Sequence, residues 1–264
     1  MTPFAKFPDL LPRLGSALVL LGVGGGAVWA GGLWFTVVVA IAVALMMWEL
    51  HHILAPMQTG AQGGALAMLA GGAVLLSGLV PIGYVLPMAL APSFVGLSAF
   101  KANRRTFAFY GALIVLAGFG LLHFRAAFGL PWVLWLLLVV IVTDIAGYFA
   151  GRALGGPKFW PSVSPKKTWS GTVAGWLGAG LVGWIFVAIL NASPQIVGLS
   201  IAMSMAAQMG DISESAIKRK VGVKDASNLI PGHGGLLDRF DGLLGAAVLL
   251  LVVEQMVDFP PLGQ

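Results

Sequence analysis

Residues 131–149 read PWVLWLLLVVIVTDIAGYF, an apolar stretch that carries one charged residue, Asp144. A helix needs about 20 such residues to cross the ~30 Å hydrocarbon layer of a bilayer. Working outward, apolar runs bounded by Gly, Pro or charge recur at 14–30, 33–54, 65–80, 84–100, 106–123, 172–190, 195–210 and 242–259. The expectation is therefore an all-α integral membrane protein of about nine transmembrane helices joined by short loops. Gly31 and Gly32 predict a very tight turn between the first two helices, and Pro87 and Pro92 predict a kink in the fourth.

Composition agrees. Only 9% of the 264 residues are charged and 58% are apolar, and the mean hydropathy is +0.93, far from the range of a water-soluble domain. One compact transmembrane domain, 1–264, is expected, with its polar motifs in 140–245. The 37 glycines, many inside apolar runs, suit helices that approach closely. With no cysteine, disulfides, thiolate metal sites and thiol nucleophiles are excluded, and a metal must be held by oxygen or nitrogen. The net charge of +5 sits in short clusters between apolar runs, which points to phosphates and anionic headgroups and not to nucleic acid.

With the N-terminus inside, all of the 15 Lys and Arg except Arg125 fall in cytoplasmic stretches, Lys6 and Arg13 among them. The bias favours a cytoplasmic N-terminus. The run after Met1–Arg13 reads as a retained first helix and not as a signal peptide. Trp34, Trp48, Trp132, Trp169 and Trp176 lie near expected helix ends and read mostly as interfacial anchors.

Two stretches interrupt the apolar pattern, both on the expected cytoplasmic side. The second, GDISESAIKRKVGVKDASNLIPGHGGLLDRFDG at 210–242, places Asp211, Asp238 and Asp241 at the edges of membrane helices. An unpaired ion there costs about 2.5–3.5 kcal/mol or more. Lys218, Arg219, Lys220, Lys224 and Arg239 offset part of that charge, and a hard cation such as Mg²⁺ accounts for converging carboxylates in a phosphate-handling site. Asp238 and Asp241 share a face if the last helix begins near Leu237, and Asp211 is expected at the end of the eighth helix. Gly232, Gly234 and Gly235 around His233 form either a flexible turn or a loop whose N–H groups meet phosphate oxygens. His233 itself reads equally as a structural hydrogen-bonder or as a member of the site.

The first stretch, TDIAGYFAGRALGGPKFWPSVSPKKTWSG at 143–171, holds the intramembrane acid Asp144. Such acids usually face a bundle interior or a wet cavity; the structural alternative is an ion pair with Arg152 or another helix. Ser164, Lys166, Lys167 and Thr168 form a cationic turn that reads equally as a topology anchor or as a clamp on a triphosphate or phosphatidate.

The spacing S-x-x-K-R-x4-K-D at Ser215, Lys218, Arg219, Lys224 and Asp225, followed by P-G-H-G-G-x-x-D-R-x-D at Pro231–Asp241, resembles the signature of the phosphatidate cytidylyltransferase (CDP-diacylglycerol synthase) family. The D-x-x-x-Y-F-x-G-R at Asp144–Arg152 and S-P-K-K-T at Ser164–Thr168 are similar to a second block of that family, so the resemblance covers the C-terminal half. It implies a multi-helix fold with a polar cavity open to the cytoplasm, and a metal centre with magnesium and, as a second cation, potassium. By motif position, Asp211 and Asp238 would bind the metal, Asp241 would support them, and the Lys and Arg residues would engage phosphates. Ser170 departs from the pattern, since members often carry Glu there.

The resemblance further implies that a phosphate oxygen of phosphatidate attacks the α-phosphorus of CTP and pyrophosphate leaves, with no protein nucleophile. Asp144 or His233 would position the acceptor, and Asp225, Ser215, Gly234 and Gly235 would complete the site. The expected setting is a bacterial cytoplasmic (inner) membrane, with a homodimer as a candidate assembly. The alternatives are a CTP-dependent kinase or cytidylyltransferase acting on another lipid, and an anion transporter. A transporter's charges would sit at the midplane in paired repeats, and none is evident here.

Overall fold

The computed structural model describes residues 10–58 and 60–261. Among them are nine α-helices and one two-stranded hairpin: α1 (Leu10–Ala30), α2 (Gly32–Leu54), α3 (Gly60–Leu76), α4 (Ile82–Ala99), α5 (Arg104–Phe128), α6 (Leu130–Leu154), β1 (Lys158–Trp160), β2 (Ser164–Thr168), α7 (Trp169–Leu190), α8 (Gln195–Val221) and α9 (Leu237–Val253). Six of them, α2, α3 with its short extension to Leu79, and α5 to α8, are long and apolar enough to cross a membrane; α1 and α4 contain shorter apolar stretches. The chain is a multi-pass membrane protein by this measure. Lys6, placed inside from the sequence, lies outside the described residues.

The chain divides into two compact units, one formed by the residues up to Ala112 with Val223–Arg239, the other by Leu113–Gly222 with the residues from Phe240. In the first, α2 packs along α3, which also meets α4. Met47 and Leu50 of α2 and Ala70 of α3 are fully buried. A Cβ on Gly71 would stand 2.9 Å from the Ala40 carbonyl oxygen, so this glycine lets the two backbones approach. Gly31, at φ 65, is the one residue between α1 and α2, as the tight-turn reading expects. The fourth helix runs through both Pro87 and Pro92.

In the second unit α6, α7 and α8 pack on one another. The tightest crossing joins α6 to the start of α7, where a Cβ on Gly171 would lie 2.5 Å from the Gly147 carbonyl oxygen and 3.3 Å from Gly151 Cα. Two polar pairs tie the bundle from inside: Trp135 Nε1 donates to Ser200 Oγ at 2.9 Å, and Thr143 Oγ1 donates to Ser204 Oγ at 2.8 Å.

Four features differ from the sequence reading. The eighth helix does not stop at 210 but continues to Val221, so Asp211 lies within it. It ends at Gly222, a left-handed cap with φ 79 whose N–H bonds to the Lys218 and Arg219 carbonyls, with three basic residues in the last turn to suit the negative helix end. The ninth helix spans Leu237–Val253 in place of 242–259, because Asp238 and its neighbours nucleate the start while Pro260 and Pro261 follow the end. The S-P-K-K-T segment is no turn but strand β2, antiparallel to β1 with Lys158 opposite Thr168 and Trp160 opposite Ser164. Pro165 is accommodated because a two-stranded ribbon has open edges. Finally, Trp132 is not an exposed anchor: it is 6% exposed, with its ring 6.1 Å from Trp135 and 5.1 Å from Phe259. Trp34 and Trp169 are exposed, as anchors should be.

Candidate active site

On α6, Asp144, Gly147, Tyr148, Gly151 and Arg152 recur at helical spacing and line one face. Gly147 and Gly151 present no side chain, so the backbone of α7 comes close to α6 at those two positions while space remains beside them. The hairpin then brings β2 across. Thr168, its last residue, is the N-cap of α7, accepting from Gly171 N at 3.3 Å through Oγ1. The result is a cavity of about 580 Å³, lined by those α6 residues with Thr143, by Lys166, Lys167 and Thr168 of β2, by Gly171 and Thr172 of α7, and by Gln208 and Asp211 of α8. It lies wholly within the second unit.

The cavity's charge is arranged around Asp211. Its Oδ2 is 2.5 Å from Lys167 Nζ, and its Oδ1 accepts from Ser215 Oγ at 3.3 Å, one turn further along α8. Asp144 interacts electrostatically with Asp211 and Lys167, and Asp241 with Asp211, Asp144 and Lys218. Three carboxylates expected from the sequence thus share one electrostatic neighbourhood. Asp241 also accepts from Gly242 N through Oδ1 at 2.7 Å. It comes close to α8 because Gly210 has no side chain: a Cβ there would run into the Asp241 carbonyl. The Asp144–Arg152 ion pair weighed from the sequence does not form among the described residues; Arg152 Nη1 donates instead to Tyr148 OH at 2.9 Å.

Ser170 has a task that its departure from the family pattern left open. Its hydroxyl donates to the Gly155 carbonyl and lies 3.0 Å from Thr168 Oγ1. An ionised carboxylate cannot donate, so the serine here serves the hairpin-to-helix junction. Ser164 is half-buried on β2 and is not among the cavity's lining residues.

The first unit holds the rest of the motif. Ile230–His233 is a tight turn closed by His233 N donating to the Ile230 carbonyl at 2.9 Å, with Pro231 second and Gly232, at φ 74, third. Ser16 Oγ donates to the Pro231 carbonyl at 3.0 Å and lies 2.8 Å from His233 Nδ1. A hydroxyl has one hydrogen, so with it given to Pro231 the imidazole donates from Nδ1, and in the neutral tautomer that this selects, Nε2 carries the lone pair. Arg239, expected on phosphate, donates from Nε and Nη2 to the His233 carbonyl at 3.0 and 2.6 Å.

Asp238 lies in the first turn of α9. Its Oδ2 accepts from Ala226 N at 2.8 Å and Gly235 N at 2.7 Å, which fixes the carboxylate's direction. The Gly235 N–H therefore points inward to the protein's own acid and not to a ligand. Gly234, at φ 86, has no room for a side chain against Asp238 Oδ2. Lys224, Asp225 and Arg219 are exposed.

Three residues escaped the sequence reading. Glu49 of α2 is fully buried and accepts from Ser227, Leu236 and Leu237. Glu214 is buried and 2.5 Å from Lys218 Nζ, a pair at i, i+4 on α8. Gln208, in the cavity wall, accepts from Trp176 Nε1 at 2.9 Å and donates to the Thr172 carbonyl at 3.2 Å. Glu49 was detectable by the rule that singled out Asp144, an acid inside an apolar run.

The donor set suits a hard cation. Asp144, Asp211 and Asp241 offer only oxygen, and Asp211 already sits against a positive group. Among the described residues no cluster of three or more His, Cys, Asp or Glu stands ready as a metal cage. Magnesium commonly uses one or two carboxylates together with water and substrate phosphates, so a preassembled cage is not required.

Compared with known proteins, the chain matches the model of the Cytidylyltransferase family over residues 12–257. It is 38% identical over 259 residues to a protein of Brucella suis biovar 1 (strain 1330) named phosphatidate cytidylyltransferase, with 92% of each chain covered. A protein of the same name from Brucella abortus biovar 1 (strain 9-941) gives the same identity and coverage, 38% and 92% of each chain. One from Staphylococcus saprophyticus is 38% identical over 174 residues, covering 62% of this chain and 67% of its own.

Proposed function

Because the chain belongs to the phosphatidate cytidylyltransferase family, we propose that it transfers the cytidylyl group of CTP to phosphatidate, forming CDP-diacylglycerol and releasing pyrophosphate. The observation that carries this reading is the cavity on α6, β2, α7 and α8. It places Lys166 and Lys167 of β2 and Arg152 of α6 beside Asp144 of α6 and Asp211 of α8. Cations for a polyphosphate and acids for a cation meet there at the edge of lipid-crossing helices, which suits one substrate from water and one from the bilayer.

In the reaction a phosphate oxygen of phosphatidate forms a bond to the α-phosphorus of CTP, and the bond from that phosphorus to the β-phosphate bridging oxygen breaks. The acceptor is a phosphate monoester, already partly ionised near neutral pH, so no protein nucleophile is needed. Lys166, Lys167 and Arg152 bind and orient phosphate oxygens, which holds the reacting atoms in line and offsets charge that develops on them. Lys218, held by Glu214, plays the same part near Asp241. His233, with Nδ1 donating, offers Nε2 as an acceptor that orients a hydroxyl or water. By motif position Asp211 and Asp238, with Asp241 in support, are the acids that would hold magnesium, with potassium as a second cation, and the metal would neutralise triphosphate charge.

The proposal also takes the finer arrangement from sequence: nine crossings with the N-terminus and the cavity mouth on the cytoplasmic side of a bacterial inner membrane, and a homodimer as the assembly. The positive-inside bias supports the orientation. The test is pyrophosphate release by detergent-purified protein. Release that requires CTP, phosphatidate and Mg²⁺ together is expected. Release with CTP alone, or none with folded protein, contradicts the reading.

A further inference from the structure

Glu49 is 0% exposed near the C-terminal end of the membrane-spanning helix α2, and no Lys, Arg or His forms an ion pair with it among the described residues. A buried carboxylate without a counterion persists only where donors replace water. Three do so. Ser227 Oγ donates to Oε1 at 2.6 Å, Leu236 N donates to Oε1 at 2.9 Å, and Leu237 N donates to Oε2 at 2.7 Å. The two backbone groups open α9, where amide hydrogens lack partners within the helix and the helix dipole is positive.

The donors that Glu49 engages adjoin those engaged by Asp238. Glu49 holds residues 227, 236 and 237; Asp238 holds the amides of 226 and 235. Two carboxylates therefore hold the same two backbone segments together, and the residue after Leu237 is Asp238 itself. Gly235 completes the fit, since a Cβ there would stand 2.7 Å from Glu49 Oε1 and 2.9 Å from Ala226 Cβ. The position of the Asp238 carboxylate thus depends on an acid far away in sequence.

We propose that Glu49 is a positioning residue for the transfer reaction: by anchoring Leu236, Leu237 and Ser227 it sets where the Asp238 carboxylate stands. The inference rests on the reading that Asp238 serves a metal-dependent cytidylyl transfer. Glu49→Gln replaces one accepting oxygen by an NH₂ that faces a donor, so at least one anchor is lost. Ser227→Ala removes the bond to Glu49, together with the one that Ser227 Oγ accepts from Leu229 N at 3.0 Å, and keeps the two backbone anchors of Glu49; it is the milder variant should Glu49→Gln fail to fold.

The experiment uses the full chain in detergent with three readouts. Hydrogen exchange of peptides covering 225–239 reports the loop, Mn²⁺ binding followed by electron paramagnetic resonance reports the metal site without turnover, and initial rates report kcat and KM for CTP. Glu49→Gln is expected to exchange at least tenfold faster over 225–239, to raise the Kd for Mn²⁺ about fivefold or more, and to lower kcat about tenfold with KM for CTP within twofold. Ser227→Ala falls between it and the parent chain. Faster exchange with unchanged Mn²⁺ affinity and unchanged kcat makes Glu49 scaffolding only and overturns the proposal, as does unchanged exchange. If the parent chain performs no transfer, the functional reading fails, while exchange and Mn²⁺ binding still decide whether Glu49 sets the carboxylate.

Discussion

Replacing Lys167 by methionine keeps the length and most of the volume of the side chain while removing the charge that lies 2.5 Å from Asp211 Oδ2. Two unit charges at that separation attract by about 1.7 kcal/mol at the dielectric constant of water and about 6.6 kcal/mol at an effective constant of 20. The side chains are 25% and 29% exposed, so water screens the pair and part of the attraction is offset by desolvation and by ordering of the lysine. A net contribution of about 1–2 kcal/mol follows. If Asp211 is a magnesium ligand, Lys167 competes with the ion for it, and its loss lowers the Mg²⁺ concentration for half-maximal rate by a factor of about 5 to 30. The same lysine lines the cavity and contacts phosphate in the proposed mechanism, so KM for CTP moves the opposite way and rises. Initial rates at varied Mg²⁺ with saturating CTP, and at varied CTP with saturating Mg²⁺, separate the two effects. Lys167→Arg keeps the charge and is expected to hold the Mg²⁺ midpoint near that of the parent. A midpoint that stays put or rises in Lys167→Met refutes the competition at Asp211, and an unchanged KM leaves Lys167 as a topology anchor.

Other substitutions probe separate parts of the account. Asp211→Asn and Asp238→Asn should each lose most turnover while inserting into membranes normally, checked by rate and by detergent-extracted yield; near-normal turnover in either removes that residue from the site. Gly171→Val forces a Cβ to within 2.5 Å of the Gly147 carbonyl, at a cost of about 1–3 kcal/mol, so thermal unfolding in detergent should begin at clearly lower temperature. Ser16→Ala removes the partner of His233 Nδ1, and a hydrogen bond worth about 1 kcal/mol predicts a fall in kcat of about fivefold, with Ser16→Thr close to the parent.

Much of the helical layout was legible because a membrane helix is a simple object: a run of apolar residues of the right length. The Gly31 break is read correctly from one glycine, whereas the start of α9 at Leu237 enters the sequence reading only as the condition under which Asp238 and Asp241 share a face. The same criterion fails where a helix leaves the apolar layer. Residues 211–221 carry charge but also Ile212, Ala216 and Ile217 at helical spacing, so α8 continues where a search for apolar runs ends it. The hairpin at 158–168 was hidden because Pro165 and two lysines resemble a turn, and only pairing with Lys158–Trp160 reveals the strand.

The site was legible in its charges and less so in its wiring. Asp144, Asp211 and Asp241 were identified from the cost of acids among membrane helices, and they do interact. That Arg239 grips the His233 carbonyl, and that Asp238 gathers backbone amides, depends on a folded loop no spacing rule describes. Glu49 does not stand out in the sequence because acids mark a site there by clustering in polar segments, and a lone acid amid Met46, Met47 and Leu50 has no such neighbours.

The central claim is a transfer of the cytidylyl group and not of a terminal phosphate, and the position of a label decides it. Purified protein is given phosphatidate and Mg²⁺ with CTP carrying ³²P at either the α or the γ phosphorus, and the lipid phase is counted. The account predicts α label in the lipid and γ label in pyrophosphate; γ label in the lipid, or no label in it with either CTP, contradicts it.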